Sequence, residues 1–317
     1  MYDVAALGEL LIDFTCLSTD ADGYPTMAAH PGGAPANYLA ALTKFGAKTA
    51  MIGKVGNDAF GRLLIKTLKG AGIDTRGMLV SDDVFTTLAF VTLNDSGDRE
   101  FSFARKPGAD MQLRFDEIDL GVIDASKVLH FGTLSMTNEP ARDATCKVVE
   151  YAAGHGKLIS FDPNLRKPLW NDLDEAKRQM LWGLRHADVV KISDEETEFL
   201  FGLAPEAAAK HIIDSFGVRL VYVTCGAEGC FYRTKTASGF VEALSGIAVK
   251  DTTGAGDIFG GSAMYGLLKA GGVPEKLTAE ELKEIVSFAC ASAGLSTTRA
   301  GGISSVAELI EVEAAMK

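Results

Sequence analysis

Short apolar runs alternate with segments of helical length over most of the chain. Val4 to Leu7, Thr49 to Gly53, Val128 to Phe131, Leu158 to Phe161, Val189 to Ile192 and Leu220 to Thr224 have strand length. Most of them lack the period-two alternation of a half-exposed strand, so they are expected to be covered on both faces. Ala36 to Phe45 and Ala141 to Ala153 lie between them and read as helices. This alternation predicts an α/β fold with a mostly parallel sheet flanked by helices.

One stretch breaks the pattern. Thr87 to Leu93 and Arg99 to Ala104 are strand-like and are joined by Asn94-Asp95-Ser96-Gly97-Asp98, which is turn chemistry. Phe101 and Phe103 flank Ser102, giving one apolar and one small polar face. The prediction is an antiparallel hairpin standing off the main sheet. With the segment near the N-terminus it would form a small β lid, about residues 13–35 and 86–109, on a single domain spanning residues 1–317. The chain has no internal repeat, low-complexity segment or linker.

Composition narrows the function class. Of 317 residues, 47% are hydrophobic and 23% charged, as in ordinary globular proteins, and the net charge is −11. That balance argues against nucleic acid or anionic lipid as partner, although local donors can still hold a phosphate. No apolar stretch approaches the roughly 18 residues of a membrane span. No basic leader precedes the first strand-like run, so a cytoplasmic protein is expected. The five cysteines, Cys16, Cys146, Cys225, Cys230 and Cys290, form no Cys-x-x-Cys pair and read as buried free thiols. The five histidines are scattered without ligand spacing.

The most informative stretch is Asp251-Thr252-Thr253-Gly254-Ala255-Gly256-Asp257. It follows a strand-like run, Gly246 to Val249, and precedes a helical pattern in which Phe259, Ala263, Leu267 and Leu268 share a face. Glycines at such a turn let the backbone approach a ligand closely. A helix beginning there aims unpaired N–H groups and the positive end of its dipole at whatever sits above, a natural anion site. Asp257 falls in the first turn beside it. Two readings stand at this point: a general base for a hydroxyl attacking a phosphoryl group, or an acid that merely favours a helix start. P-loop, dinucleotide-fold and protein-kinase signatures are all missing from the sequence.

Several motifs in a fixed order then resemble the ribokinase-like carbohydrate kinases, the PfkB family, and within it the fructokinases. They are Gly8-Glu9-Leu10-Leu11-Ile12-Asp13-Phe14, Pro31-Gly32-Gly33-Ala34-Pro35-Ala36-Asn37, Gly53-Lys54-Val55-Gly56-Asn57-Asp58 and Phe60-Gly61. Farther on come Phe161-Asp162-Pro163-Asn164-Leu165-Arg166, Lys191-Ile192-Ser193-Asp194-Glu195-Glu196, Thr224-Cys225-Gly226-Ala227-Glu228-Gly229 and the glycine turn itself. The resemblance implies a ribokinase-like (Rossmann-like) fold with a β lid, ATP as donor and Mg²⁺ as its partner. It makes Asp257 the catalytic base, with Gly254, Ala255 and Gly256 supplying the anion hole. It implies sugar contacts at Asp13, Gly32, Gly33, Asn37 and Phe103, with Arg105 and Arg166 near the sugar or the transferring phosphate. Asn164, Ser193, Thr224, Gly226 and Gly229 resemble the ATP side, though many relatives have Asn where Ser193 stands. Asp162 and Glu196 resemble the Mg²⁺ region, Glu196 acting through water. Asp251, Thr253, Ser296, Gly301 and Ser305 stand where family members bind a monovalent cation such as K⁺.

The resulting expectation is ATP-dependent phosphorylation of a sugar hydroxyl, D-fructose to fructose 6-phosphate. A 2-keto-3-deoxygluconate kinase is the nearest alternative, because its acid substrate would use Arg105 and Arg166 as a charge clamp. A non-catalytic sugar-binding protein on the same fold is an alternative of another class. Open lid edges suggest a homodimer formed through the lid.

Overall fold

The computed structural model describes residues 1–93 and 99–317. The predicted turn at Asn94 to Asp98 lies outside the described residues, and the side chain of Phe101 is likewise not described. The strands are β1 Tyr2–Leu7, β2 Leu11–Thr19, β3 Pro25–Gly32, β4 Thr49–Gly56, β5 Asp74–Ser81, β6 Leu88–Leu93 and β7 Arg99–Ala104. They continue with β8 Ser126–Gly132, β9 Leu158–Asp162, β10 Val189–Ser193, β11 Leu220–Thr224, β12 Gly229–Arg233 and β13 Ser238–Glu242. Nine of them form one sheet in the order β13-β12-β11-β10-β9-β8-β1-β4-β5. Pairing is parallel from β5 to β11, and β12 and β13 add on antiparallel.

The missing alternation in the sequence has its cause in two cores. Along β1, Val4 and Ala6 enter one core while Ala5 and Leu7 enter the other. The first core is closed by the helices Ala34–Lys44, Ala255–Lys269 and Ala279–Ser296, through Leu39, Leu42, Phe259, Leu267, Leu282 and Val286. The second is closed by Ala141–Gly154, Leu173–His186 and Pro205–Phe216, through Val148, Val149, Met180, Leu184 and Ile212. With apolar neighbours on both faces, each inner strand gains from burying its apolar residues on either side, about 1.5–3 kcal/mol per large side chain.

Two expectations need correction. The apolar run Gly246 to Val249 is not a strand: β13 ends at Glu242 and the chain to Thr253 is irregular. Leu244, Gly246, Ile247 and Val249 line a cleft instead of pairing in the sheet, which accounts for their apolar character. All five cysteines are free, but Cys16 is exposed on β2 and only Cys225, Cys230 and Cys290 are buried. Among the described residues, no helix is long and apolar enough to cross a membrane.

The predicted hairpin stands off the main sheet. It belongs to a four-stranded sheet in the order β3-β2-β6-β7. Pairing aligns His30, Asp13, Ala89 and Phe103 in one cross-strand row. Directly opposed residues share a face, so this row presents one side of the small sheet. On the other side Phe14 stacks on Phe90 at 5.2 Å and meets Phe60, of the helix Ala59–Gly70, edge-on at 5.5 Å. The aromatic cluster thus seats the small sheet and leaves the Asp13 row free to face the carboxyl ends of the parallel strands, where α/β folds bind ligands.

Candidate active site

Gly254 has φ +75° and precedes the helix Ala255–Lys269, with no side-chain cap on the helix start. The Ala255 N–H donates to the Thr252 carbonyl at 3.3 Å. The Gly256 and Asp257 N–H groups have no partner among the described residues. Two open donors at the positive end of a 15-residue helix make an arrangement that can accept an anion.

Asp257 lies beside them, buried in the first turn. Its Oδ2 accepts a 2.9 Å hydrogen bond from Asn37 Nδ2, a contact spanning 220 positions of sequence. Burial raises the Asp257 pKa; the Asn37 bond and the charges of Lys191 and Arg166 oppose that, and Glu196 reinforces it. Asn37 is presented by the helix Ala34–Lys44, whose start depends on close packing at Gly33. A Cβ on Gly33 (φ +119°) would lie 2.5 Å from the Glu9 carbonyl, and one on Gly32 would fall on the Asp13 carboxylate. Glu9 Oε1 accepts the Ala34 N–H at 2.9 Å, and burial pushes the Glu9 pKa up to about 7. Asp13 is pushed up to about 6 by burial, with Arg166 opposing and Asp257 and Asp251 reinforcing. Asp13, Asp257 and the exposed Arg166 therefore share one electrostatic site, with Gly32, Gly33 and Asn37 around it.

Arg105 is placed differently. It is buried, and its guanidinium donates to Asp110, to Thr137 Oγ1 at 2.9 Å and to the Leu134 carbonyl at 2.9 Å. Asp110 also accepts from Thr87 Oγ1. Of the two predicted arginines, Arg166 is the one whose charge acts on both Asp13 and Asp257. Phe103 and Arg105 border a separate recess of about 580 Å³ that Lys106, Asn138 and Asn171 also line.

The loop after β9 is tied by its own carboxylates. Asp162 Oδ1 accepts the Asn164 N–H at 3.1 Å and Oδ2 accepts from Lys191 Nζ at 3.0 Å. Asn164 takes φ +46°, the one non-glycine residue with positive φ among those described. Glu196 accepts the Leu165 N–H at 2.7 Å and the Ser193 N–H at 2.8 Å, while Ser193 Oγ accepts the Glu196 N–H. Ser193 and Glu196 are thus a capping box on the helix Asp194–Phe201, legible locally in the Ser-x-x-Glu spacing. Burial pushes the Asp162 pKa up to about 7, against the Lys191 charge. Burial works against the Lys191 ammonium, but Asp162, Glu196 and Asp257 together hold its pKa above the ordinary lysine value. The motif reading assigned roles to neither Glu9 nor Lys191. A lysine inside the apolar run Val189 to Ile192 was the available signal, since such a charge needs buried partners. Among the described residues, no three His, Cys, Asp or Glu side chains form a metal cage.

A cleft of about 520 Å³ opens on the far side of the glycine turn. Thr224, Gly226, Gly229, Ala255 and Gly256 border it with Leu244, Ile247, Phe259 and Gly294, an apolar slot ending at the open N–H donors. Asp251 anchors the neighbouring loop: Oδ1 accepts from Thr253 N–H (3.0 Å) and Oγ1 (2.7 Å), and Oδ2 accepts the Gly301 N–H (3.0 Å). Ser296 and Ser305 donate to the Ala293 and Gly302 carbonyls. Of the proposed cation residues, Asp251, Thr253 and Gly301 are thereby joined directly.

The chain matches the family described as pfkB family carbohydrate kinase over residues 1–309. It is 40% identical to a probable fructokinase-4 of Arabidopsis thaliana over 318 aligned positions, covering 99% of this chain and 96% of that protein. Its fold superimposes on a fructokinase of Xylella fastidiosa with bound ATP at a TM-score of 0.91, with 29% identity and 100% and 98% of the two chains covered. A fructokinase of Vibrio cholerae O395, solved with fructose, ADP and calcium ion, gives 0.87 at 30% identity, covering 100% and 99%.

Proposed function

The chain belongs to the pfkB family of carbohydrate kinases, and from that premise we propose that it transfers the γ-phosphoryl group of ATP to D-fructose, giving fructose 6-phosphate and ADP. The observation that carries this reading is Asp257, held by Asn37 at 2.9 Å beside two open N–H donors, with the apolar cleft on one side and Asp13 on the other. ATP lies in the cleft along Thr224, Gly226 and Gly229, its phosphates directed at Gly254 to Asp257. The sugar lies between the small sheet and the glycine turn, against Asp13, Gly32, Gly33 and Asn37.

Asp257 takes the proton of the primary hydroxyl as that oxygen attacks the γ-phosphorus. The bond from phosphorus to the β–γ bridging oxygen breaks, and ADP leaves with that electron pair. The small sheet acts as a lid that excludes water from the transfer.

Asp162, and Glu196 through water, would hold Mg²⁺, which when bound would neutralise part of the nucleotide's charge. The donor set suits it: Asp162 and Glu196 each already accept backbone or lysine N–H groups. An ion that keeps several waters needs few direct carboxylates. The backbone around Asp251, Thr253, Ser296, Gly301 and Ser305 is proposed to hold K⁺. An unchanged rate with K⁺ replaced by a large organic cation would remove that assignment.

Fructose is favoured over 2-keto-3-deoxygluconate because Arg105, half of the clamp an acid substrate would need, is neutralised by buried Asp110. The free thiols suit a reducing, cytoplasmic compartment. The open edges β3 and β7 suit a homodimer through the lid, which light scattering would detect. Substrate choice is tested by ATP turnover on fructose, 2-keto-3-deoxygluconate, ribose, glucose and adenosine. Preference for fructose is expected, and preference for the keto acid would reassign the substrate while keeping the chemistry.

A further inference from the structure

Lys191 is a largely enclosed cation beside the glycine turn that the reaction described above does not use. It sits on β10 with its side chain 13% exposed, and its one hydrogen bond among the described residues is to Asp162 Oδ2 at 3.0 Å. An ammonium carries three N–H donors, so two have no partner among the described residues in a largely enclosed position. The group lies directly against the glycine turn, since a Cβ on Gly256 would come within 3.0 Å of Nζ. Gly256 is one of the two residues whose N–H groups are open at the helix start. Three carboxylates, Asp162, Glu196 and Asp257, act on this single ammonium. A transferring phosphate brings further negative charge to the same spot.

We propose that Lys191 is a catalytic residue, binding an oxygen of the transferring phosphoryl group with its spare N–H donors from beneath Gly256. This rests on the phosphotransfer reading above. The tie to Asp162 fixes the ammonium before ATP arrives, so no reorganisation is needed when charge spreads over the phosphoryl oxygens. A preorganised donor of this kind acts more on the transition state than on the bound nucleotide. The absence of a side chain at Gly256 leaves the path open.

The test compares wild type with Lys191→Met and Lys191→Gln, the second serving if the first does not fold. kcat and KM for ATP and fructose are measured, then calorimetric affinity for ADP with fructose, with and without aluminium fluoride as a mimic of the transferring group. The expected result is a kcat lower by about 10²–10³-fold with both KM values nearly unchanged. ADP affinity is also expected to be unchanged, while the aluminium fluoride complex weakens by a factor similar to the loss in kcat. Near-wild-type kcat would overturn the proposal. So would an equal loss of affinity with and without aluminium fluoride, or failure of both variants to fold, because either result makes Lys191 a structural tie for Asp162. A wild-type protein that turns over no sugar would instead sink the phosphotransfer reading itself, so the two failures are distinguishable.

Discussion

Replacing Asn37 with Ala removes the one side-chain hydrogen bond that Asp257 accepts among the described residues, from Asn37 Nδ2 at 2.9 Å. Hydrogen bonds to charged groups contribute about 1.5–3 kcal/mol, and this one is made to the carboxylate, favouring its ionised form. Burial already raises the Asp257 pKa, and Asn37 is the first of the contributions that restrain it. Without Asn37 the proton affinity of Asp257 rises by a factor of about ten to a hundred. The base is the deprotonated form, so the acid limb of the kcat profile moves to higher pH. Activity at neutral pH falls by up to the same factor and recovers as the pH is raised. The assay is kcat at saturating ATP and fructose across the pH range, for wild type and Asn37→Ala. Stability should suffer less than for most buried amides, because Asn37 Oδ1 is buried without a partner and its removal relieves that cost. An acid limb that stays in place, with only the fructose KM raised, would refute the reasoning and leave Asn37 as a sugar ligand alone.

Gly254→Ala forces a side chain into φ +75°, about 1–2 kcal/mol, and puts a Cβ 2.9 Å from Asn37 Nδ2 and 3.2 Å from Gly302 Cα. Urea unfolding should show a larger loss than for Gly271→Ala, whose φ of +99° lies in open space, and kcat should fall only for Gly254→Ala. Arg105→Ala leaves Asp110 buried without its counter-charge and should cost about 3–5 kcal/mol in unfolding free energy, with Arg105→Ala/Asp110→Ala recovering part of it. For Glu9 the folded pKa of about 7 lies above the ordinary 4.5, so the native state binds the extra proton. Stability from this group is present below about pH 4.5 and is lost as pH rises towards 7, about 3 kcal/mol in all. The difference in stability between wild type and Glu9→Gln, followed against pH in the ligand-free protein, should show that slope; a flat difference would contradict it.

The parallel sheet was legible because its inner strands are buried on both faces: Leu220–Thr224 has the bounds that its apolar run predicts. The run Gly246 to Val249 misled for the complementary reason. Residues lining an apolar cleft satisfy the same composition as a buried strand, and only pairing tells them apart. The glycine turn was readable from local chemistry, since φ at Gly254 and the first-turn carboxylate need only neighbouring residues. Lys191 and Arg105 were not readable in the same way. Lys191 finds its counter-charge Asp162 29 positions away, and Arg105, neutralised by Asp110 five positions on, is locked in place by Thr137 32 positions away, so their settings depend on topology. Asn37 and Asp257 were both picked out by resemblance, but their hydrogen bond across 220 positions appears only once the chain is folded.

The most direct measurement is ATP-dependent phosphorylation of fructose by wild type and Asp257→Asn, with the product's phosphate position read by NMR. Wild type should form fructose 6-phosphate and ADP in equal amounts. Asp257→Asn should keep near-normal KM values and lose about 10²–10⁴-fold in kcat. Turnover by Asp257→Asn at close to the wild-type rate, or phosphate appearing on another hydroxyl, would contradict the assignment of Asp257 as the base for the primary hydroxyl.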